Sequence, residues 1–185
     1  MDYYLSNMKI MKIRDNLYKL NLLDYGTYKK IIFTLNNTIT PFGIETFAKK
    51  DIINIEFTNY KNDNNMYNIY TEIDQFEKFI SNVSHKKFKY GMPVIFANQI
   101  KDKKFVSCLK TSPNTNFDPL LRVHIKKQGS NIKSIFYKNI DNVKTFVNPF
   151  SIQNLKCRFS ICAENIWFTE DSYVILFILN LCEVL

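Results

Sequence analysis

Residues 120–138, LLRVHIKKQGSNIKSIFYK, place Arg122, His124 and Lys126 at every second position among Leu121, Val123 and Ile125. A strand sends alternate side chains to opposite faces, so this run has one apolar and one cationic face. A Gly-Ser-Asn turn follows at 129–131, and a second run carrying Lys133, Tyr137 and Lys138 is expected to return beside the first. Cations spaced along a strand can follow a phosphate backbone, and flat rings beside them stack on unpaired bases for about 1–3 kcal/mol each. The pattern recurs nearby, with Lys103 and Lys104 before Phe105, Phe117 before Arg122, and Lys144 near Phe146. The candidate phosphate contacts are therefore Lys101, Lys103, Lys104, Lys110, Arg122, Lys126, Lys133 and Lys138, and the candidate base contacts are Phe105, Phe117 and Tyr137. His124 adds a pH-sensitive contact on the face of Arg122 and Lys126. Val123, Ile125 and Phe136 are assigned to the core beneath, and the QGSN turn to a flap over a bound strand.

The distribution of charge supports an anionic partner. Residues 101–158 hold 12 basic and 3 acidic residues, a net of +9, while the remainder holds 13 and 14, a net of −1. A lysine-rich codon supply would scatter lysines evenly, so the asymmetry needs another cause, and a polyanion is the simplest.

Other chemistries find little footing. Four glycines in 185 residues leave no GxxxxGK[ST], GxGxxG or GxSxG motif. Cys108, Cys157, Cys162 and Cys182 form no C-x-x-C pair, and with only His85 and His124 a zinc site is not expected. The opening MDYYLSNMKIMKIRD is acidic and polar too early for a signal peptide, so the thiols are expected reduced and buried in an intracellular protein. The longest apolar run, Tyr173 to Leu179, is far short of the ~20 residues of a spanning helix, so no membrane insertion is expected. Two alternatives to nucleic-acid binding stay open. One is a scaffold whose basic patch meets an acidic protein or anionic surface. The other is a metal-dependent nuclease drawing on Glu45, Glu56 and Glu72 or on Asp102 and Asp118.

These residues must be held by strands. Strand-like runs begin at Lys29 with KKIIFTLNNTIT, where Asn36-Asn37 reads as a turn, and continue through DIINIEF (51–57) and MYNIY (66–70). TEIDQFEKFISNV is the clear helix, capped at Thr71, with Ile73, Phe76, Phe79, Ile80 and Val83 on one stripe. Short strands follow at VIFAN and KKFVSCL, and after the 120–138 hairpin KTFVNPF and SIQNLKCRFSICAENIWF read as an extended pair. SYVILFILNLCEV closes the chain as a strand. Close-spaced strands with one strong helix predict a mainly β (α+β) single domain over 1–185: an OB-like Greek-key β-barrel with an inserted amphipathic helix and β-hairpin extensions.

TPFGIETFAKKDIINIEF (40–57), MYNIY with its following helix, GMPVIF (91–96), and CRFSICAENIWF with the closing strand together resemble the single-stranded DNA-binding proteins of nucleocytoplasmic large DNA viruses. The resemblance implies an OB fold, cofactor-free and sequence-independent binding of the displaced strand during viral DNA replication, and a place in the host cytoplasm or nucleus. The unbroken ILFIL of the closing strand departs from that family's pattern and suggests a buried strand or a self-association face, hence a possible homo-oligomer. Stacking and phosphate contacts treat DNA and RNA alike, so the expected partner is single-stranded DNA with RNA also admitted.

Overall fold

The computed structural model describes residues 7–47, 50–82, 99–114 and 116–185. In chain order the strands are β1 (Met8–Arg14), β2 (Leu17–Asp24), β3 (Thr27–Lys29), β4 (Ile31–Thr38), β5 (Ile44–Phe47) and β6 (Lys50–Glu56). Helix α1 (Asn64–Asn82) follows, then β7 (Lys104–Val106), β8 (Leu109–Lys110), β9 (Leu120–Ile125), β10 (Lys127–Gln128) and β11 (Asn131–Ile132). The chain ends with β12 (Ile135–Ile140), β13 (Val143–Phe146), β14 (Cys157–Phe168) and β15 (Ser172–Val184). The chain groups into two compact units: Met1–Ile31, Thr71–Ser107 and Ala163–Leu176 in the first, Ile32–Tyr70, Cys108–Cys162 and Phe177–Leu185 in the second. His85 and the segments GMPVIF and VIFAN lie outside the described residues.

In the first unit β1 pairs antiparallel with β2, and β3 folds back on β2 through Tyr25-Gly26, both at positive φ. That is the two-residue hairpin geometry whose twist matches the strands. These strands precede Lys29, where strand-like patterning starts in the sequence. Apolar positions 8, 10, 11 and 13 of β1 do not alternate strictly, which hides the strand from a period-two search. Tyr18 stands edge-on to Phe168 and Phe168 stacks on Tyr173, each pair at 5.5 Å. Met8, Ile10, Leu20, Ile73, Phe76 and Ile80 are buried in the same unit. Burying each such large side chain contributes about 1.5–3 kcal/mol.

Helix α1 begins seven residues before the expected cap at Thr71, and MYNIY is helical rather than a strand. Asp63 is the cap: its Oδ1 accepts from the backbone N of Asn65 (2.9 Å) and Met66 (3.1 Å). Buried Met66 extends the stripe of Ile73, Phe76 and Ile80 back by two turns. The helical period overrides the strand preference of the tyrosines.

In the second unit β5, β6 and β9 form an antiparallel run, and β15 continues it parallel to β9 (Ile178↔His124, Leu179↔Ile125). β4 pairs with β14 and runs through Asn36-Asn37 without turning, Asn37 taking φ +53 inside the strand. The reversal comes later, at Pro41-Phe42-Gly43, with Gly43 at φ +65. One isolated bridge, Ile39↔Glu56, links the chain after β4 to β6. The expectation of a mainly β chain with an amphipathic helix holds. The expected closed barrel does not form: β4 and β6 share no ladder, only that single bridge. Leu121, Val123, Ile125, Ile53, Ile55, Phe57, Phe159 and Phe177 make the core beneath these strands.

β13 pairs with β12, not with the CRFSICAENIWF strand as expected. β15 alternates buried Ile175, Phe177 and Leu179 with half-buried Leu176 and Ile178, so the ILFIL run has one face in the core. All four cysteines are buried and none is in a disulfide. Among the described residues no helix is long and apolar enough to cross a membrane.

Candidate nucleic-acid interface

The predicted alternation of β9 is observed. Leu121, Val123 and Ile125 are buried, while Arg122 and His124 are half-buried on the opposite face and Lys126, next in the alternation, is exposed. Antiparallel pairing sets Asn54 opposite Arg122 and Ile52 opposite His124, with Glu45 beyond Ile52 on β5. Residues directly opposite across a ladder share a face. Phe47, 61% exposed, ends β5 on that face, and the Arg122 guanidinium lies 5.4 Å from its ring centroid. A guanidinium at that distance is attracted to the ring face by about 0.5–1 kcal/mol or more. Arg122 Nε is buried and has no hydrogen-bond acceptor. A buried donor left unpaired costs about 1–3 kcal/mol, which an incoming acceptor would recover.

His124 is held neutral. Burial is the largest cause, and the Lys50 and Arg122 charges add to it, lowering its pKa to about 4. On the free protein it is therefore uncharged at neutral pH, and the expected switch lies below the physiological range.

The 120–138 hairpin differs from expectation. β9 and β12 are not neighbours; each pairs parallel with β15, β9 at Ile178–Leu179 and β12 at Leu181–Val184. Between them the chain makes a short excursion, with β10 pairing β11 around Gly129-Ser130 and Gly129 at the positive φ (+61) that the first loop position of such a turn requires. Buried Ser134 closes its base, its Oγ accepting from Lys126 N (3.0 Å) and donating to the Leu179 carbonyl (2.6 Å). The backbone N of Lys133 donates to the Lys126 carbonyl at 2.7 Å, which keeps those two exposed lysines together at the base. Lys127 turns to the core side and pairs with Asp51 at 2.6 Å, and this hydrogen bond holds the Asp51 carboxyl below its ordinary range.

The remaining candidates scatter. Tyr137 is 7% exposed, with Lys144 Nζ 4.9 Å from its ring centroid. Burial is the main cause of its raised pKa, and a hydrogen bond to Glu183 adds to it. Its ring offers no open face, which corrects its assignment as a base platform. Glu183 is a buried carboxylate that also gathers Arg158 Nη1 (2.8 Å) and Asn139 Nδ2 and ties β12 to β15. Phe136 is buried, as expected. On the hairpin closed by Asp141-Asn142, both at positive φ, the exposed ring is Phe146 (78%), opposite Tyr137 in register. Lys138 is exposed on β12. Phe117 is 66% exposed in a loop fixed by Asp118, whose carboxylate accepts from the backbone N of Asn59. Lys110, on β8, is half-buried opposite Leu120.

Lys101, Lys103, Lys104 and Phe105 belong to the first unit. Lys101 and Lys104 are exposed there. The Lys103 ammonium donates to the carbonyls of Thr169 (2.9 Å) and Glu170, so it serves the β14–β15 turn instead of projecting. Phe105 is half-buried against Tyr173, with centroids 5.3 Å apart. Both placements correct the expected contacts. The residues missed in the sequence are Phe47 and Lys50: they lie far from the basic segment, and only the β6–β9 pairing brings them to Arg122 and His124. Among the described residues no cluster of three or more His, Cys, Asp or Glu side chains could hold a metal ion.

No protein-family model matches the chain, and no curated protein does. Among solved structures it is similar to the single-stranded DNA-binding protein from bacteriophage Enc34, with a TM-score of 0.49 and 12% identity over 96% of this chain and 88% of that one. Overlap of that size carries no argument about function, which has to be read from the side chains themselves.

Proposed function

We propose that the protein binds single-stranded DNA without sequence preference, through the β5–β6–β9 face of the second unit and the basic hairpin that follows β9. The observation that carries this reading is one strand face bearing Arg122, His124 and Lys126 in sequence, backed by a packed core and flanked by the exposed ring of Phe47. The guanidinium and ammonium groups take phosphates, and Phe47, Phe117 and Phe146 supply rings for unpaired bases. Carboxylates on the face are occupied or peripheral: Glu45 accepts from Asn54 Nδ2 at 2.7 Å, and Glu56 accepts from Thr58. The resemblance in sequence gives this binding a setting, the displaced strand of a replicating viral genome, and no cofactor enters it. Exposed aromatic rings beside the cations favour this reading over an acidic-protein or lipid partner, which needs the charge alone. The double substitution Arg122→Glu/Lys126→Glu, followed by fluorescence anisotropy with a thymidine oligonucleotide, tests it. Affinity is expected to fall by at least about tenfold, a loss of about 1.4 kcal/mol or more; unchanged affinity in a folded variant overturns the assignment.

A further inference from the structure

We propose that Arg122, His124 and Lys50, with Phe47 beneath the guanidinium, form a phosphodiester subsite in which His124 takes up a proton from solvent as the phosphate docks. This rests on the reading of the face as a nucleic-acid interface and adds a specific subsite and a proton linkage to it. The geometry is specific. Arg122 is pinned over Phe47 with a buried, unpartnered Nε, so its guanidinium is oriented before any ligand arrives. His124 follows two positions along the same strand face, and Lys50 and Arg122 are each close enough to act on the imidazole.

The surroundings of His124 explain why a phosphate would change its charge. Directly opposite it stand Ile52 on β6 and Ile178 on β15, both apolar. Among the described residues the charges on its face are the cations Lys50, Arg122 and Lys126, with Lys110 farther off on β8 opposite Leu120, and the carboxylates Glu45, held by Asn54, and Glu56, farther along β6 opposite Leu120. Burial and the cations together keep the free imidazole neutral down to about pH 4. A phosphodiester carries one negative charge into this group. It would offset part of the cationic repulsion and accept a hydrogen bond from an imidazolium, so the protonated form is favoured in the complex. By linkage, affinity then rises as the pH falls toward the bound-state pKa, which lies above that of the free protein. The ring nitrogen gains a proton from water, and no bond to phosphorus forms or breaks.

The test uses the full chain and a thymidine oligonucleotide at constant ionic strength. Wild-type affinity is expected to rise several-fold between about pH 7.5 and about pH 5.5, and this rise is expected to vanish in His124→Gln. An independent readout follows the imidazole proton resonances of the chain's two histidines, assigned with the same variant. His124 is expected to titrate at higher pH with the oligonucleotide bound than without it. An affinity independent of pH, a rise equally large in His124→Gln, or an unmoved His124 titration overturns the subsite. Failure to bind the oligonucleotide at any pH overturns the underlying reading of the face instead.

Discussion

Arg122 is the residue on which most of the site converges, since its guanidinium is fixed by Phe47 and its Nε has no partner. Its replacement by alanine is expected to lower the slope of log affinity against log salt by about 0.7, the value of one phosphate contact on a single strand, measured by anisotropy over a salt series. Lys103 makes the opposite prediction. Its ammonium serves the carbonyls of Thr169 and Glu170, so Lys103→Ala should cost about 0.5–1.5 kcal/mol in urea unfolding and leave the salt slope unchanged. His124 links the site to stability. Its folded pKa is depressed to about 4, so below the unfolded value near 6.5 the unfolded chain binds a proton that the folded chain refuses. Free-protein stability should therefore fall as the pH drops from about 6.5 toward about 4, and His124→Gln should flatten that fall in denaturant titrations. At this scale the sequence was most legible where alternation governs: Arg122, Val123, His124 and Ile125 lie on the faces their spacing dictates. It was least legible for Tyr137, because no local pattern announces its hydrogen-bond partner Glu183, 46 positions away.

Among the elements, α1 shows how period and propensity compete. Met66 and Ile73 share a helical stripe across MYNIY, and Asp63 caps it, so the tyrosines join a helix against their strand preference. Asp63→Ala is expected to cost about 0.5–2 kcal/mol, read from thermal or urea unfolding, whereas Thr71→Ala, inside the helix, should cost far less. Pairing partners were the least visible property of the strands. The second run of the 120–138 segment was expected beside β9, yet both lie along β15, because that 13-residue strand accommodates three short parallel strands in succession, β7, β9 and β12. The part of the expected hairpin that survives is the four-residue ladder of β10 and β11, and its Gly129 is the position that permits the turn. Phe47 entered the site for the same reason. The residue itself was visible, and the strand pairing that gives it a role was not.

For the whole molecule, the charge of +8 has to be weighed against its internal pairing. Lys127 and Arg158 are neutralised by Asp51 and Glu183 and belong to the architecture, while Arg122, Lys126, Lys133 and Lys138 stay on the surface. A count along the sequence finds the basic segment but cannot separate these two groups. It also could not show that the segment divides, with Lys101, Lys103 and Lys104 in one compact unit and the β9 face in the other. The proposed binding requires the surface cations to meet a flexible, unpaired polyanion whose bases reach the exposed rings. Binding of fluorescent single strands and of the matched duplex, compared over a salt series, tests this most directly. A clear preference for the single strand is expected, with log affinity falling steeply and linearly against log salt. Equal, weak binding to single and double strands would contradict it.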